Sequence, residues 1–407
     1  MTTRSLIPWP LPINRRFALL PRRCWQALLL SGAGLALSAA MATSAAAVEI
    51  RVAIKRDAEQ INIGSSVDAI VQNGEGKTVG EIKGMNGFVA ERQGNVVAMD
   101  KWRSGVMTVQ PKDANGVVWI GDKWYRGRVV IVPTGNGLTA VNWVDIEQYL
   151  YAVLGGEMNG SWHQEALKAQ AVAARTYALH KQEGSRNDLY DVLPSTASQV
   201  YRGIQDESTG TQLAVNSTKG QVLTYNGKLI LAAFHSSAGG KTDNVEEVWV
   251  QPLPYLRSVQ DFDQDAPVFR WTKSVTQAEL SSLFGCGGGT VQSFTPIRKS
   301  TGDRVKVMQV KTTSGATCNY DGEEMQGKLG LRSNKFVIQP VYKQVASKDP
   351  KKTPAVIDRF EVIGSGFGHG LGLSQYGALG MAKKGYNYQQ IVAHYYQKTK
   401  LAVITKS

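Results

Sequence analysis

The sequence predicts an α+β protein: a strand-rich mixed fold with a few helices packed around a cleft, preceded by a small N-terminal β module. Three observations carry that prediction. Glycine supplies 42 of the 407 residues, which implies many turns and short elements. From Ile50 to about Val141, apolar and polar residues alternate with period two between Asn-Gly turns. After Asn142 the apolar spacing becomes helical. With 43% apolar residues the chain has material for a real core, so disorder of the whole is excluded. Its length suits one large domain or two of ordinary size.

Residues 1–47 read as an export signal. They carry five arginines (Arg4, Arg15, Arg16, Arg22 and Arg23) and no acid, followed by an apolar run from Ala27 to about Ala42. Ala45-Ala46-Ala47 offers a small-residue cleavage site, with Ala40-Met41-Ala42 as a second. An uncleaved membrane anchor is the alternative, and would be the chain's one link to a membrane. Removing those five charges from the net +13 leaves +8, a basic surface that suits an anionic polymer without choosing which. Export also organises the cysteines. Beyond Cys24 only Cys286 and Cys318 remain, an even pair 32 residues apart. In an oxidising compartment they form a disulfide worth roughly 3–4 kcal/mol through the unfolded chain; otherwise they are two buried thiols.

In the exported chain, residues 48–140 form a β-rich accessory region. Val52 and Ile54 alternate with charges, as does Ile61-Asn62-Ile63, and the turns fall at Asn73-Gly74, Asn86-Gly87 and Asn115-Gly116. A second region follows over 141–402. Ile146, Tyr149, Leu150, Val153 and Leu154 make one apolar helical stripe capped by Asp145, and Gly155-Gly156 stops it. A second helix is expected from Ser161, with Gln164 completing a capping box, to about His180. Strands return at Val222–Tyr225, an Asn226-Gly227 turn and Leu229–Phe234, then from Val291 to Val345. Ser347 to Pro354 reads as an exposed loop or linker, and an amphipathic helix runs from Asn387 to about Tyr396.

Few residues are placed for chemistry. Glu157 lies in Gly155-Gly156-Glu157-Met158-Asn159-Gly160, with Trp162 close behind. Apolar walls beside a carboxylate on a bend disfavour its charge and raise its pKa, as a general acid requires; the plain alternative is a solvated Glu at a helix end. Gly364 to Gly377 has glycine at almost every second position and presents His369, Ser374 and Gln375, either as a ligand-lining backbone or as a glycine-packed bend. His235 and Ser236 open the loop to Lys241, which lacks both the nucleophile-elbow and the phosphate-loop spacing. Asp261, Asp263 and Asp265 start like a calcium loop but lack its glycine and its final acid, so they read as a solvated acidic loop. No His or Cys pattern offers a catalytic zinc, and no other cofactor is implied. Basic clusters interleaved with aromatics are missing, which with export argues against nucleic acid as a partner.

Taken together these segments resemble the SpoIID/LytB family of bacterial cell-wall proteins. The likeness runs from about Trp124 to Leu401. It is carried by Glu147-Gln148-Tyr149-Leu150, Glu157-Met158, the string Glu165 to Tyr177, Ser198-Gln199-Val200-Tyr201, the His235 to Lys241 loop and Gly366 to Gly377. The resemblance implies a periplasmic or cell-wall lytic transglycosylase that cuts glycan strands of peptidoglycan between MurNAc and GlcNAc, leaving 1,6-anhydro ends. Glu157 would be its acid/base. Lys168, Arg175, Tyr201, His235, Ser236, His369, Ser374 and Gln375 would hold substrate groups. The alternative is a non-catalytic enhancer of a wall amidase, which would then be a partner. Some sporulation members hold zinc with a Cys and a His near the Gln-Val-Tyr segment. Here Ser198 precedes Gln199 and neither residue type lies between Asn187 and Tyr201, so that site should be missing.

Overall fold

The computed structural model describes residues 48–185, 189–249, 251–344 and 355–404. The export segment and the Ser347 to Pro354 loop lie outside them. The described chain is strand-rich and mixed α+β, as expected. Its first part forms two six-stranded antiparallel sheets. One runs in the order Glu49–Ala58, Gly137–Asp145, Arg128–Thr134, Met107–Pro111, Ala69–Gln72, Thr78–Ile82. The other is centred on Gln60–Ser65, paired with Gly87–Gln93 and Val117–Ile120. The period-two alternation explains both, because Ile61, Ile63, Val71, Val109, Ile131 and Leu138 all point into a common core and are buried.

Strand Gly137–Asp145 carries the chain directly into helix α1 (Ile146–Glu157). Asp145 Oδ1 accepts from the N–H groups of Glu147 at 2.9 Å and Gln148 at 3.2 Å, the cap its position implied. The helix does not stop at its glycines, however. It runs through both to Glu157. A Cβ on Gly155 would lie 1.7 Å from the Asp206 carbonyl oxygen, and one on Gly156 2.8 Å from that of Val200. The glycines therefore admit a neighbouring backbone rather than end a helix.

Helix α2 (Gln164–Gly184) starts later than expected and is capped by His163. Ser161 instead donates both its N–H and its hydroxyl to Asn159 Oδ1, which places it in the turn before the helix. Four further helices escaped the sequence reading: α3 (Thr209–Ser217), α4 (Gln277–Phe284), α5 (Gly322–Leu329) and α6 (Gln375–Lys383). Each has only eight or nine residues, too short for a clear stripe, and each starts on a Ser, Thr or Asp cap. Helix α7 (Tyr388–Tyr395) opens on an Asn387 capping box. Helix α2 is the hub, packed against α1, α3, α6 and α7.

The hairpin at Asn226-Gly227 forms with both residues at positive φ, as a two-residue turn between twisted strands requires. The strand expected from Leu229 to Phe234 is broken. Ala232 and Ala233 donate to carbonyls only two residues back, at 3.0 and 2.9 Å, which bends the segment between two short strands. Beyond it, residues 270–344 and 355–365 build a separate apolar core under two three-stranded sheets, including Leu280, Phe284, Met308, Met325 and Phe360. Cys286 and Cys318 are joined there by a disulfide across 32 residues. Among the described residues no helix is long and apolar enough to cross a membrane.

Closing a loop of that length constrains the unfolded chain by roughly 3–4 kcal/mol. Replacing both cysteines with serine should lower the denaturant midpoint by a corresponding amount. Alkylation of the unreduced, denatured protein should leave both peptides unlabelled, and labelling of either would contradict the bond.

Candidate active site

Glu157 is the last residue of α1, half-buried where the helix meets the segment 199–206. Its Oε1 accepts from the Val200 N–H at 2.8 Å, and its Oε2 from the Gln375 side-chain amide at 3.2 Å. Burial raises its pKa above the ordinary carboxylate value; the two hydrogen bonds and the Arg202 charge oppose that rise. The Val200 contact exists because Gly155 and Gly156 let the 199–206 backbone lie against the helix. Gln199 then locks the segment: it accepts from Tyr149 Oη at 3.0 Å and donates to the Ala174 carbonyl at 3.1 Å.

Gln375 arrives from the other side of the fold. Phe234–His235 pairs in parallel with Leu373–Ser374, and Ser374 caps α6 by accepting from the Gly377 N–H at 3.1 Å. Gln375, the first residue of that helix, is thus aimed at Glu157. Tyr376 follows, its N–H bonded to the Ser236 carbonyl at 3.0 Å and its ring 4.8 Å from that of Trp162. Glu157, Ser236 and Gln375 are therefore brought to one neighbourhood, while Ser374 has no exposed surface and its hydroxyl is spent on the α6 cap, which corrects its expected role as a substrate contact.

The other expected substrate contacts are used inside the fold. Arg175 has no exposed surface; its Nε reaches Glu147 Oε1 at 3.0 Å, and Nη1 the Gln221 carbonyl at 3.1 Å. Tyr201 is buried between Tyr125 and Tyr149 and donates to Asn142 Oδ1 at 2.8 Å. Neither can touch a ligand in this conformation, which corrects their expected role. Lys168 is held at 2.8 Å by Glu165, whose other oxygen accepts from the Tyr388 N–H at 2.7 Å, so it joins α2 to α7. His235 is buried with Nδ1 against the Leu371 carbonyl at 3.1 Å. His369 accepts from the Leu371 N–H at Nδ1, so its Nε2 carries the proton donated to the Phe234 carbonyl at 3.0 Å. Burial, with Arg304 nearby, depresses the His369 pKa to about 4, and the ring stays neutral. Among the described residues no three His, Cys, Asp or Glu side chains are grouped to hold a metal ion.

Sequence reasoning missed a buried carboxylate pair. Asp261 and Asp263 are not solvated; each is about 1% exposed. Asp263 accepts from Ser237 Oγ at 2.5 Å and from the N–H groups of Gly239 and Gly240 at 2.7 and 2.9 Å, clamping the loop after His235. Gly239 and Gly240 both have positive φ, which turns their N–H groups toward one point; that glycine pair was the available signal. Asp261 accepts from Tyr395 Oη at 2.6 Å and packs under α6, where a Cβ on Gly377 would sit 1.8 Å from its Oδ1. Burial, then the Asp263 charge, pushes the Asp261 carboxyl up to about 7.

The strand-rich α+β fold thus holds the Glu157 carboxyl, partly withdrawn from water, between a backbone N–H and a side-chain amide. Comparison with known proteins agrees on ancestry. Residues 134–225 match a family described as "Stage II sporulation protein", and residues 243–372 match a domain of unknown function. The stage II sporulation protein D of Bacillus subtilis is 34% identical over 277 residues, covering 64% of this chain and 75% of that one. An uncharacterized protein of Brachyspira hyodysenteriae is 31% identical, covering 67% and 70%. The amidase enhancer of Bacillus subtilis is 31% identical, covering 62% of this chain and 40% of its own. The chain belongs to the stage II sporulation protein D family.

A group whose folded pKa is raised binds its proton more tightly in the folded state, so its stabilisation is lost as pH rises through the folded value. For Asp261 that window runs from about 4 to about 7. Asp261→Asn removes the titration, so its denaturant midpoint relative to wild type should rise with pH across that window. A constant difference between the two proteins from pH 4 to 8 would count against the buried, protonated carboxyl.

Proposed function

We propose that this protein is an exported lytic transglycosylase of peptidoglycan, with Glu157 as its acid and base. The observation that carries the reading is the pairing of a raised pKa with two neutral hydrogen-bond donors on one carboxylate. Burial favours the protonated, donating form of Glu157. Val200 N–H and the Gln375 amide then stabilise the carboxylate left behind, so the group can work in both directions.

Glycoside hydrolysis normally requires two carboxyl groups. The acid beside Gly156 is Asp206, and Arg202 holds it at 2.8 and 3.1 Å through two nitrogens. One free carboxyl suits a substrate that carries its own nucleophile. Glu157 gives its proton to the glycosidic oxygen as the bond to the muramic anomeric carbon breaks. The carboxylate then takes the proton of the muramic 6-hydroxyl as that oxygen bonds to the same carbon. The products are a shortened strand and a 1,6-anhydro end, and Glu157 ends as it began. The Trp162–Tyr376 pair gives the glycan an apolar wall, and the basic chain favours an anionic wall polymer. The family relative named amidase enhancer supports a second reading, in which the same site binds wall without turnover and a wall amidase is the partner.

Glu157→Gln keeps the side chain's size but cannot transfer a proton. Anhydro-muramic ends released from peptide-stripped glycan, read by mass spectrometry, should fall at least a hundredfold, since acid–base help is typically worth about 10²–10⁴-fold. If wild type releases none yet still binds sacculi, the enhancer reading takes its place.

Gln375→Leu removes a donor that lowers the Glu157 pKa. The acid must be protonated to act, so activity falls as pH rises past that pKa. The variant's falling limb should therefore move to higher pH, and an unmoved limb would deny the Gln375 contact a part in tuning Glu157.

A further inference from the structure

Residues before 134 lie outside both matched regions, yet they carry an aromatic pair beside the candidate active site. Strand Val117–Ile120 pairs antiparallel with strand Lys123–Arg126, and Trp119 stands directly opposite Trp124. Val118, Ile120 and Tyr125 are buried, so by the period-two alternation both indoles stand on the outer face. The rings are half-buried, 6.2 Å apart between centroids and inclined by only 27°. Next to them on that face come Gly64, opposite Trp119, and Gly87, opposite Gly64. A Cβ on Gly87 would lie 2.9 Å from the Trp119 ring, so the glycines leave a bare shelf over which the indole leans. Polar groups continue the face: the Gln60 amide donates to Glu91 at 2.8 Å, and the Asn62 amide to the Gly121 carbonyl at 3.4 Å.

A cross-strand tryptophan pair stabilises a hairpin whatever else it does. Two further facts point to a ligand. Among the described residues neither indole N–H has a hydrogen-bond partner in the protein, so both are left to donate outward. The pair also adjoins the Glu157 centre. Gly203 has positive φ, and a side chain there would strike the Trp124 carbonyl. The Tyr125 ring packs 5.3 Å from that of Tyr201, and Arg126 holds Glu207 through two nitrogens at 2.7 and 2.8 Å. Strand Lys123–Arg126 thus runs along the segment whose Val200 N–H binds Glu157. From Val200 to Gly203 the chain can reach at most about 10 Å. Between them the exposed Arg202 spends two nitrogens on Asp206 and keeps Nη1 to donate. Charge beside the pair is small, because Lys55 and Lys123 share the acid Asp122 at 3.4 and 2.6 Å. A weakly charged aromatic pair with outward N–H donors suits a sugar ring, which stacks its C–H face on an indole and accepts at its rim of oxygens. A protein partner fits less well: two indoles bury at most about 150–250 Å² each, short of the roughly 800 Å² that such a partner covers on one side.

We propose that Trp119 and Trp124 form a distal sugar-binding platform, which holds the glycan strand away from the bond cleaved at Glu157. The strand leaves Glu157 over Arg202 and lays a pyranose ring on the tryptophan pair, whose N–H groups donate to acetamido or hydroxyl oxygens. The β-rich region before residue 134 thereby lengthens the site and gives it a preference for long strands. The glycan as ligand rests on the peptidoglycan reading above; the aromatic pair and its junction with residues 201–207 do not.

The test uses Glu157→Gln protein, so that binding is read without turnover, and titrates it calorimetrically with β-1,4-linked GlcNAc oligomers. A disaccharide and a hexasaccharide serve as probes, because they have the ring, linkage and acetamido groups of wall glycan. The hexasaccharide should bind at least about tenfold tighter. Adding Trp124→Ala should weaken it by about tenfold, the loss of one aromatic contact, with the thermal unfolding midpoint kept as the control for folding. Because the pair also supports its hairpin, a second measurement keeps both indoles. Saturating hexasaccharide should slow oxidation of the Trp119 and Trp124 peptides by N-bromosuccinimide several-fold, read by mass spectrometry. Equal affinity for the two oligomers, unslowed oxidation, or a folded Trp124→Ala protein with unchanged affinity overturns the platform. These outcomes are independent of catalysis. Failure of wild type to make anhydro ends, with Trp124-dependent binding intact, removes the transglycosylase reading and leaves the platform standing.

Discussion

Everything around Glu157 hangs on the ion pair between Arg175 of α2 and Glu147 in the first turn of α1. Both side chains are withdrawn from water, and such a pair survives only when its remaining donors and acceptors are also met. Here they are. Arg175 spends its other hydrogens on the carbonyls of Ala171, Val215 and Gln221, while Glu147 also accepts from the Gly220 N–H at 2.9 Å. The pair thus fixes α1, α2, the end of α3 and the entry to strand Gln221–Tyr225 at one point. Helix α1 is a rigid rod only twelve residues long, so anchoring its first turn determines where its last residue, Glu157, can lie.

At that far end the controlling factor is close approach rather than charge. Two glycines remove the side chains that would hold the 199–206 backbone away, and the gap they open is filled by a peptide N–H aimed at the carboxylate. The same device recurs under α6, where Gly377 leaves room for Asp261. Both carboxyls are withdrawn from water, and burial raises both pKa values against the pull of the hydrogen bonds they accept. In each case the glycine acts by what it lacks.

The parts of this fold that were legible in sequence are those with local causes. Alternating strands, the Asp145 cap, the Asn226-Gly227 hairpin, the Asn387 helix and the single even cysteine pair each depend on neighbours in the chain or on counting, and all stand in the structure. What misled was the use to which a residue is put across long separations. Arg175 and Lys168 share a helical face by spacing, but spacing cannot say that one is buried against Glu147 and the other held by Glu165. Gly155-Gly156 resembles a helix stop until Asp206 is seen lying against it. Asp261 and Asp263 look like a solvated turn because the groups that bury them, Ser237, Gly239, Gly240 and Tyr395, are 23 to 134 residues away. Their donors are mostly backbone, which has no signature in side-chain chemistry.

Both partners of Glu157 lie after it in the chain, at very different separations. Val200 lies 43 residues after it and Gln375 lies 218 after it, delivered by a parallel bridge of only two residues. During synthesis the carboxylate and its first donor exist long before the second. A growing or prematurely ended chain therefore holds the acid without the amide that tunes it. The centre is completed only by a segment made 218 residues after the acid, so the arrival of that segment acts as the latch on the whole site.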